Sequence, residues 1–297
     1  MSPFFHEAGH VLLHSLTDTL KLLPFLFLTY LLMEFLEHKS GGAAQRLLRR
    51  SGKVGPLLGA LLGAVPQCGF SAAASGLYAG RLVTLGTVLA VYLSTSDEML
   101  PILITSGASV WYILAVLGIK VLIGLVAGFG VDLVLRLIFK KCETEPQIED
   151  ICEREHCDCK DHFALSALKH TARIGLFLFA ITLLLTAGIE LVGEERIASL
   201  LLNRPLLANL LASLVGLIPN CASSVILTEL CVEGVISAGS MLSGLLVNAG
   251  VGLLVLFRQN RPVWDSVRVL SILWGIGLLS GLLIDLTPMG ARLTALL

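Results

Sequence analysis

The chain has 297 residues, of which 55% are hydrophobic and only 14% are charged, and its formal net charge is -1 at pH 7. A soluble protein is about one quarter charged, so this composition excludes an ordinary soluble domain and predicts a polytopic membrane protein. The near-zero charge also gives no indication of nucleic-acid binding.

The first half of the chain is predicted to be a membrane unit at residues 19–139, preceded by a polar-faced helix at residues 1–18. Two of its apolar segments are only about half of the ~20 residues that cross a bilayer. Together they predict a re-entrant hairpin that enters to mid-depth and returns. The predicted segments are a span at Thr19–Phe35, short segments at Val54–Val65 and Ser71–Gly80, and spans at Leu82–Ile104 and Val110–Phe139.

The second half, residues 171–288, repeats this order after a polar loop at residues 140–170, which gives ten hydrophobic segments in all. A shift of 153 positions brings Pro66 onto Pro219, Cys68 onto Cys221, Trp111 onto Trp264 and Asp132 onto Asp285. Chance does not keep such residues in one register, so the sequence indicates a duplication. The predicted segments are spans at Thr171–Leu191, Val235–Phe257 and Val263–Leu286 and short segments at Leu206–Ile218 and Ser223–Glu233.

The two repeats are predicted to have opposite orientations, because each contains an odd number of true spans. Lys and Arg collect on the cytoplasmic side of a membrane. The link Lys39–Lys53 is strongly basic while its counterpart Glu194–Pro205 is balanced, and Thr105–Ser109 is uncharged while its counterpart holds Arg258 and Arg261. The expected fold is therefore an all-α polytopic membrane protein of two inverted repeats, each with three spans and one re-entrant broken-helix hairpin.

Two matched stretches, Pro66–Cys68 and Pro219–Cys221, interrupt the hairpins. Paired breaks in the two halves of a transporter are a pointer to its binding site. Thiolates bind soft ions and amide oxygens harder ones, and the following half-helices, expected to be capped by Ser71 and Ser223, would direct positive dipole ends inward. Alternatively, each cysteine fills a tight helix contact. The substrate-binding prediction here comprises Gln67, Cys68, Asn220 and Cys221.

A third polar stretch, Ser94–Glu98, lies deep in a predicted span and precedes Pro101. Cap residues before a proline predict that the span unwinds there. Carboxylates in a span cost about 2.5–3.5 kcal/mol each and are functional by default, and their oxygens suit Mn(II) or a transported proton. The alternative places the acids near the membrane surface. The counterpart Val247–Gly252 is flexible and uncharged, and the predicted ligands are Ser94, Thr95, Asp97, Glu98 and Asn248.

Lys120 lies about ten residues into its span and hence about 15 Å deep at 1.5 Å per residue. A lysine at that depth needs a carboxylate partner, and Asp97 or Glu98 is the expected one. The pair would serve either coupling or structure, and the sequence leaves both open.

Two peripheral clusters have the residue types of metal ligands. His6–His10 reads H-E-x-x-H, as in zinc proteases, but it begins before the repeat does; the stripe His6, His10 and His14 is either a solvated helix face or a weak metal-collecting patch. In the predicted cytosolic loop, closely spaced Cys and His could hold zinc but match no closed zinc fold. This loop is either ion-collecting or a solvated linker, and its candidate ligands are His156, Cys157, Cys159 and His162.

Four stretches carry a resemblance to a known family: DTLKLLPFLFLTYLLMEFLEHK, LGAVPQCGFSAAASGLYAGR, STSDEMLPIL and VGLIPNCASSVILTELCVEGVIS. They resemble the bacterial ten-helix heavy-metal exporters, which are usually labelled manganese transporters or arsenic efflux proteins. The resemblance covers nearly the whole chain and implies ten membrane segments and export of a heavy-metal ion.

The functional hypothesis is a secondary transporter, not an enzyme, that exports a metal or metalloid ion across the bacterial inner membrane by proton-coupled alternating access. The first half has Asp97 and Glu98 where the second half has Gly250 and Val251. Two acids in a span favour a divalent cation as the substrate, and manganese is the preferred one. An arsenical or arsenite permease is the alternative, and an intramembrane zinc metalloprotease or a metal-gated channel are alternatives of another class. The expected partners are the ion and the lipid bilayer, no cofactor is expected, and a homodimer is left open.

The loop charges generate a topology that labelling can test. Both termini and the link Glu194–Pro205 are predicted to be external, and Lys39–Lys53 cytosolic. Single cysteines introduced into the two links of intact cells should react with a membrane-impermeant reagent only in Glu194–Pro205. Labelling of Lys39–Lys53 from outside would contradict the predicted orientation.

Overall fold

The computed structural model describes residues 54–67, 69–96, 99–138, 171–181 and 205–297, with isolated positions between 16 and 31 and at 168, 183 and 184. Every regular element within these ranges is a helix, which agrees with the all-α prediction. The helices are α1 (Gly55–Gly63), α2 (Gly69–Ala79), α3 (Leu85–Ser94), α4 (Met99–Thr105), α5 (Val110–Ile138), α6 (Thr171–Ile181), α7 (Pro205–Gly216), α8 (Cys221–Val232), α9 (Ala238–Val247), α10 (Gly252–Gln259), α11 (Val263–Leu286) and α12 (Pro288–Thr294).

Four helical segments in the described part of the chain are long and apolar enough to cross a membrane, so the protein is a multi-pass membrane protein. Two of them, α5 and α11, match predicted spans almost residue for residue. The other two are α3 with α4 and α9 with α10. The predicted span Thr19–Phe35, the helix at 1–18 and the loop at 140–170 lie almost wholly outside the described residues, and so does the end of the span that α6 begins.

Two of the spans are broken near their middle. Helix α3 ends at Ser94 and Thr95 is extended, with φ -55° and ψ 127°, which confirms the predicted interruption. Helix α9 ends at Val247, and Asn248 is likewise extended, with ψ 95°. The sequence predicted flexibility at this second position but an unbroken span. Gly250 makes the break because its φ of 53° is in the left-handed region that glycine adopts without strain.

The carboxylates of Asp132 and Asp285 close the N-termini of α3 and α9. Asp132 Oδ1 accepts a hydrogen bond from the backbone N–H of Gly86 at 2.9 Å, and Oδ2 accepts from Thr84 Oγ1 at 2.7 Å. Asp285 Oδ1 accepts from the N–H of Gly239 at 3.1 Å. A negative charge at a helix N-terminus satisfies donors that have no partner inside the helix, so these matched acids support the fold.

The long helices pack backbone to backbone on the broken ones. A Cβ atom at Gly128 of α5 would lie 2.6 Å from the carbonyl oxygen of Gly86, and one at Gly281 of α11 would lie 2.6 Å from that of Gly239. Only glycine permits this approach. Each broken span is therefore held tightly against the long helix that follows it in the chain.

Residues from both halves of the chain pack together in two apolar clusters. Tyr112 and Val116 of α5 pack with Leu227 of α8 and Met241 of α9. Tyr92 and other residues of α3 pack with residues of α9, α10 and α11 in a second cluster that includes Leu246, Leu253 and Leu273. The breaks in the two spans consequently meet inside the protein.

Replacing Asp132 or Asp285 by Ala should lower the free energy of unfolding by about 1–3 kcal/mol, because each change leaves a buried helix N–H without its acceptor. Thermal unfolding of the purified protein in detergent measures this. The exposed Glu233→Ala is the matched control and should have no effect. An Asp132→Ala protein as stable as wild type would contradict the structural role of this carboxylate.

Candidate functional site

A polar cavity lies where the two broken spans meet. Its described walls come from both halves of the chain. The lining residues are Thr95, Ser96, Met99 and Lys120 from the first half and Ser224, Leu245 and Asn248 from the second.

Lys120 brings a charged side chain into this cavity. It is 1% exposed, and its Nζ donates a hydrogen bond to the carbonyl oxygen of Leu245 at 2.9 Å. The sequence placed Lys120 at mid-depth and expected a carboxylate beside it. Asp97 and Glu98, the expected partners, lie outside the described residues, so that pairing stays a prediction.

The first break contributes hydroxyl groups. Ser96 Oγ donates to the carbonyl oxygen of Ala64 at 2.8 Å, which joins the break to the C-cap residue of α1. Thr95 Oγ1 donates to the carbonyl oxygen of Val91 at 2.7 Å. Ser94 Oγ bonds back into its own helix, and Ser94 is not among the residues lining the cavity. The structure thus brings Thr95, but not Ser94, to the cavity.

The second hairpin tip is tied to the second break. Asn248 Nδ2 donates to Ser223 Oγ at 3.1 Å, and Ser223 Oγ donates to the carbonyl oxygen of Asn220 at 2.7 Å. Asn220 is the N-cap of α8, with its side chain accepting from the N–H of Ala222. The expectation that Ser223 caps this helix is therefore wrong, because the helix starts earlier, at Cys221, which is 6% exposed.

The first tip is described in part. Gln67 is half-buried between α1 and α2, with its N–H donating to the carbonyl oxygen of Val65 at 2.8 Å. Ser71 does not cap α2 as expected, because that helix begins at Gly69 and Ser71 lies inside it. Cys68 lies outside the described residues, as do the peripheral clusters His6, His10, His14, His156, Cys157, Cys159 and His162.

Interrupted helices contribute partial charges to the cavity beside the ammonium group of Lys120. Helix α3 ends at Ser94 and α9 at Val247, so both present the partially negative carbonyl end of a helix. Helix α8 presents its partially positive end through Ser224 in its first turn. Hydroxyl, amide and carbonyl oxygens suit hard cations. Among the described residues no group of three or more His, Cys, Asp and Glu side chains is placed to hold a metal ion.

Sequence reasoning missed several of these residues. Ser224 and Ser96 adjoin predicted ligands, and their hydroxyl groups were the available signal. Leu245 contributes its backbone carbonyl, a role that the residue type does not indicate. Met99 has the side chain of an ordinary core residue.

Comparison with known proteins identifies a family. The chain matches ArsP_2, described as "Putative, 10TM heavy-metal exporter", over residues 7–178 and 173–295. No curated protein and no solved structure matches the chain significantly. Since the two matched ranges together cover nearly the whole sequence, the chain belongs to the ArsP_2 family.

Proposed function

We propose that the protein exports a heavy-metal ion across the bacterial inner membrane by alternating access, driven by a proton gradient. The observation that carries this proposal is the cavity between two broken spans, whose polar and charged lining side chains come from both halves of the chain. A divalent cation such as Mn(II) is the favoured substrate and an arsenical the second. The substrate ligands would be Thr95, Asn248, Asp97 and Glu98 with the tip residues Gln67, Cys68, Asn220 and Cys221.

Contacts along α1 support a re-entrant hairpin. A Cβ at Gly55, the first residue of α1, would touch the side chain of Thr87 near the start of α3. A Cβ at Gly63, the last residue, would touch Ser94 at the end of α3. Helix α1 thus runs beside the first half of that span and stops at its break, while α2 returns to the end where α3 begins. Helices α7 and α9 make the corresponding approach at Gly216 and Gly244.

Two contacts related by the 153-residue shift support inversion. Tyr78, near the end of α2, donates a hydrogen bond to Asp265 Oδ2, at the start of α11. The shifted pair is Cys231, near the end of α8, with Tyr112 at the start of α5, where Oη and Sγ are 3.6 Å apart. The end of α2 lies where the α3–α4 span begins, because α2 leads directly into that span. The end of α8 contacts the start of α5, which follows the end of the same span. The α1–α2 and α7–α8 hairpins would therefore open at opposite ends of the α3–α4 span.

The exposed tryptophans fit the same arrangement. Trp111 is 72% exposed and Trp264 75% exposed, each in the first turn of its long helix. Tryptophan is enriched at both membrane interfaces. The two residues would therefore lie at opposite surfaces of the bilayer.

An ion pair closes the end of the protein at which α2 stops. Arg81 Nη1 contacts Asp265 Oδ2 at 3.0 Å, and Nη2 donates to the carbonyl oxygen of Arg261 at 3.1 Å. Arg81 has φ +58°, which is strained for any residue except glycine, and its repeat counterpart is Gly234 with φ +73°. An arginine kept in a glycine conformation implies that its side chain is needed, and we assign it as a gate latch of the transport cycle.

The substitution Arg81→Gly tests the gate latch without adding backbone strain. Loss of a partly exposed ion pair, worth about 1 kcal/mol, should raise the population open on this side about fivefold. The readout is the rate at which an impermeant maleimide, applied from the Arg81 side, modifies Cys221 as the only cysteine. The exposed Arg292→Ala is the matched control. An unchanged rate, or faster labelling only from the opposite side, would remove the latch from the gate.

Substitutions at the acids and the thiols identify the ion. If it is Mn(II), Asp97→Asn and Glu98→Gln should reduce metal resistance to the level of empty vector, while Cys68→Ser and Cys221→Ser retain it, because oxygen ligands suit manganese. Growth of a metal-sensitive bacterial host in Mn(II), Zn(II), Cu(I), arsenite and methylarsenite is the measurement.

The opposite order, with the thiols essential and the acids dispensable, would indicate a soft ion such as trivalent arsenic. His10→Ala is the control for the protease alternative and should have no effect. Flux without proton movement in everted vesicles would favour a channel.

A further inference from the structure

The ammonium group of Lys120 contacts the C-terminal end of α9. The last four carbonyl groups of a helix have no partner within it. In α9 the carbonyl of Gly244 accepts from the N–H of Asn248 at 3.0 Å, where the chain leaves the helix. The next carbonyl, that of Leu245, accepts from Lys120 Nζ at 2.9 Å. The ammonium group therefore occupies the negative end of an interrupted helix.

Interrupted helix ends of this kind are cation ligands in secondary transporters, where unwound carbonyls coordinate the coupling ion. Thr95, Ser96, Ser224 and Asn248 line the same cavity as the Leu245 carbonyl and Lys120. None of the other described lining residues is charged. Lys120 Nζ thus lies where a small cation would find carbonyl and hydroxyl oxygens together.

The repeat-related positions show that the fold does not require a lysine here. The 153-residue shift places Leu273 at the position of Lys120 and Tyr92 at that of Leu245. Leu273 is fully buried in the apolar core, and the carbonyl of Tyr92 accepts from the backbone N–H of Thr95 at 3.3 Å. The carbonyls at the end of α3 accept from hydroxyl groups and a backbone N–H of Ser94 and Thr95, whereas the Leu245 carbonyl at the end of α9 accepts from an ammonium group.

We propose that Lys120 is a tethered cation that competes with the exported ion for the oxygen ligands around the end of α9. In the arrangement of this structure its ammonium group holds the Leu245 carbonyl. Entry of a metal cation displaces the ammonium group, and its return promotes release. This inference rests on the proposed export of a metal cation.

The direction in which KM changes when Lys120 is replaced distinguishes a competitor from a substrate ligand or a purely structural residue. Removing a ligand or a packing residue weakens ion binding, whereas removing a competitor strengthens it. For Mn(II) uptake into everted vesicles, Lys120→Met should lower KM about tenfold, because a like charge no longer opposes the ion. The maximal rate should fall as well, because release loses its driving group.

Two further variants complete the experiment. Lys120→Arg retains the charge and should show a KM equal to or above that of wild type. Leu273→Met alters the repeat-related position without changing charge and should leave KM unchanged. If Lys120→Met does not fold, Lys120→Arg decides, and a KM below wild type in that variant would overturn the proposal.

A folded Lys120→Met protein with unchanged or higher KM would also overturn it; a higher KM with arsenite as the exported species would show that Lys120 attracts the substrate. Wild-type protein that transports none of the five ions would instead refute the proposed function itself.

Discussion

The structure depends on how backbone groups are satisfied where a helix stops inside an apolar environment. Irregular backbone survives at membrane depth only when protein or a watery cavity covers it. Here the first break is joined to the adjacent hairpin through Ser96 and Ala64, and the second through Asn248 and Ser223. Lys120 satisfies a further carbonyl. The same unsatisfied groups that make a break costly also supply the oxygen atoms of the cavity, so the fold and the candidate site have one physical origin.

Much of this arrangement could be predicted from the sequence. Long apolar runs defined α5 and α11, and Pro66 and Pro219 indicated the interruptions that follow α1 and α7. Elements whose residues have strong local conformational preferences can be predicted reliably, because local preference and the final fold agree in natural sequences. The acids before Pro101 correctly indicated the break after Ser94. The caps were misplaced because both helices begin before the predicted serines: α2 begins at Gly69, and α8 begins at Cys221 with Asn220 as its N-cap.

Other parts could not be predicted, for equally physical reasons. The break after Val247 contains neither proline nor charge, and it depends on the backbone of Gly250. The carbonyl of Leu245 gives no side-chain signal, although it is the partner of Lys120. The roles of Asp132 and Asp285 became clear only when the helix N-termini beside them were located. Long-range partners of this kind are set by packing, not by local sequence.

The matched positions of the two halves also differ in one consequential way. Two identical halves around a common axis would place either two ammonium groups or none at a central site, since whatever one half contributes the other must repeat. The 153-residue shift places Leu273 at the position of Lys120 and Gly234 at that of Arg81. Joining the halves in one polypeptide allows each to mutate separately. A single buried ammonium group, and an Arg81–Asp265 ion pair whose shifted positions are Gly234 and Tyr112, are available to a single chain but not to a symmetric dimer of its half.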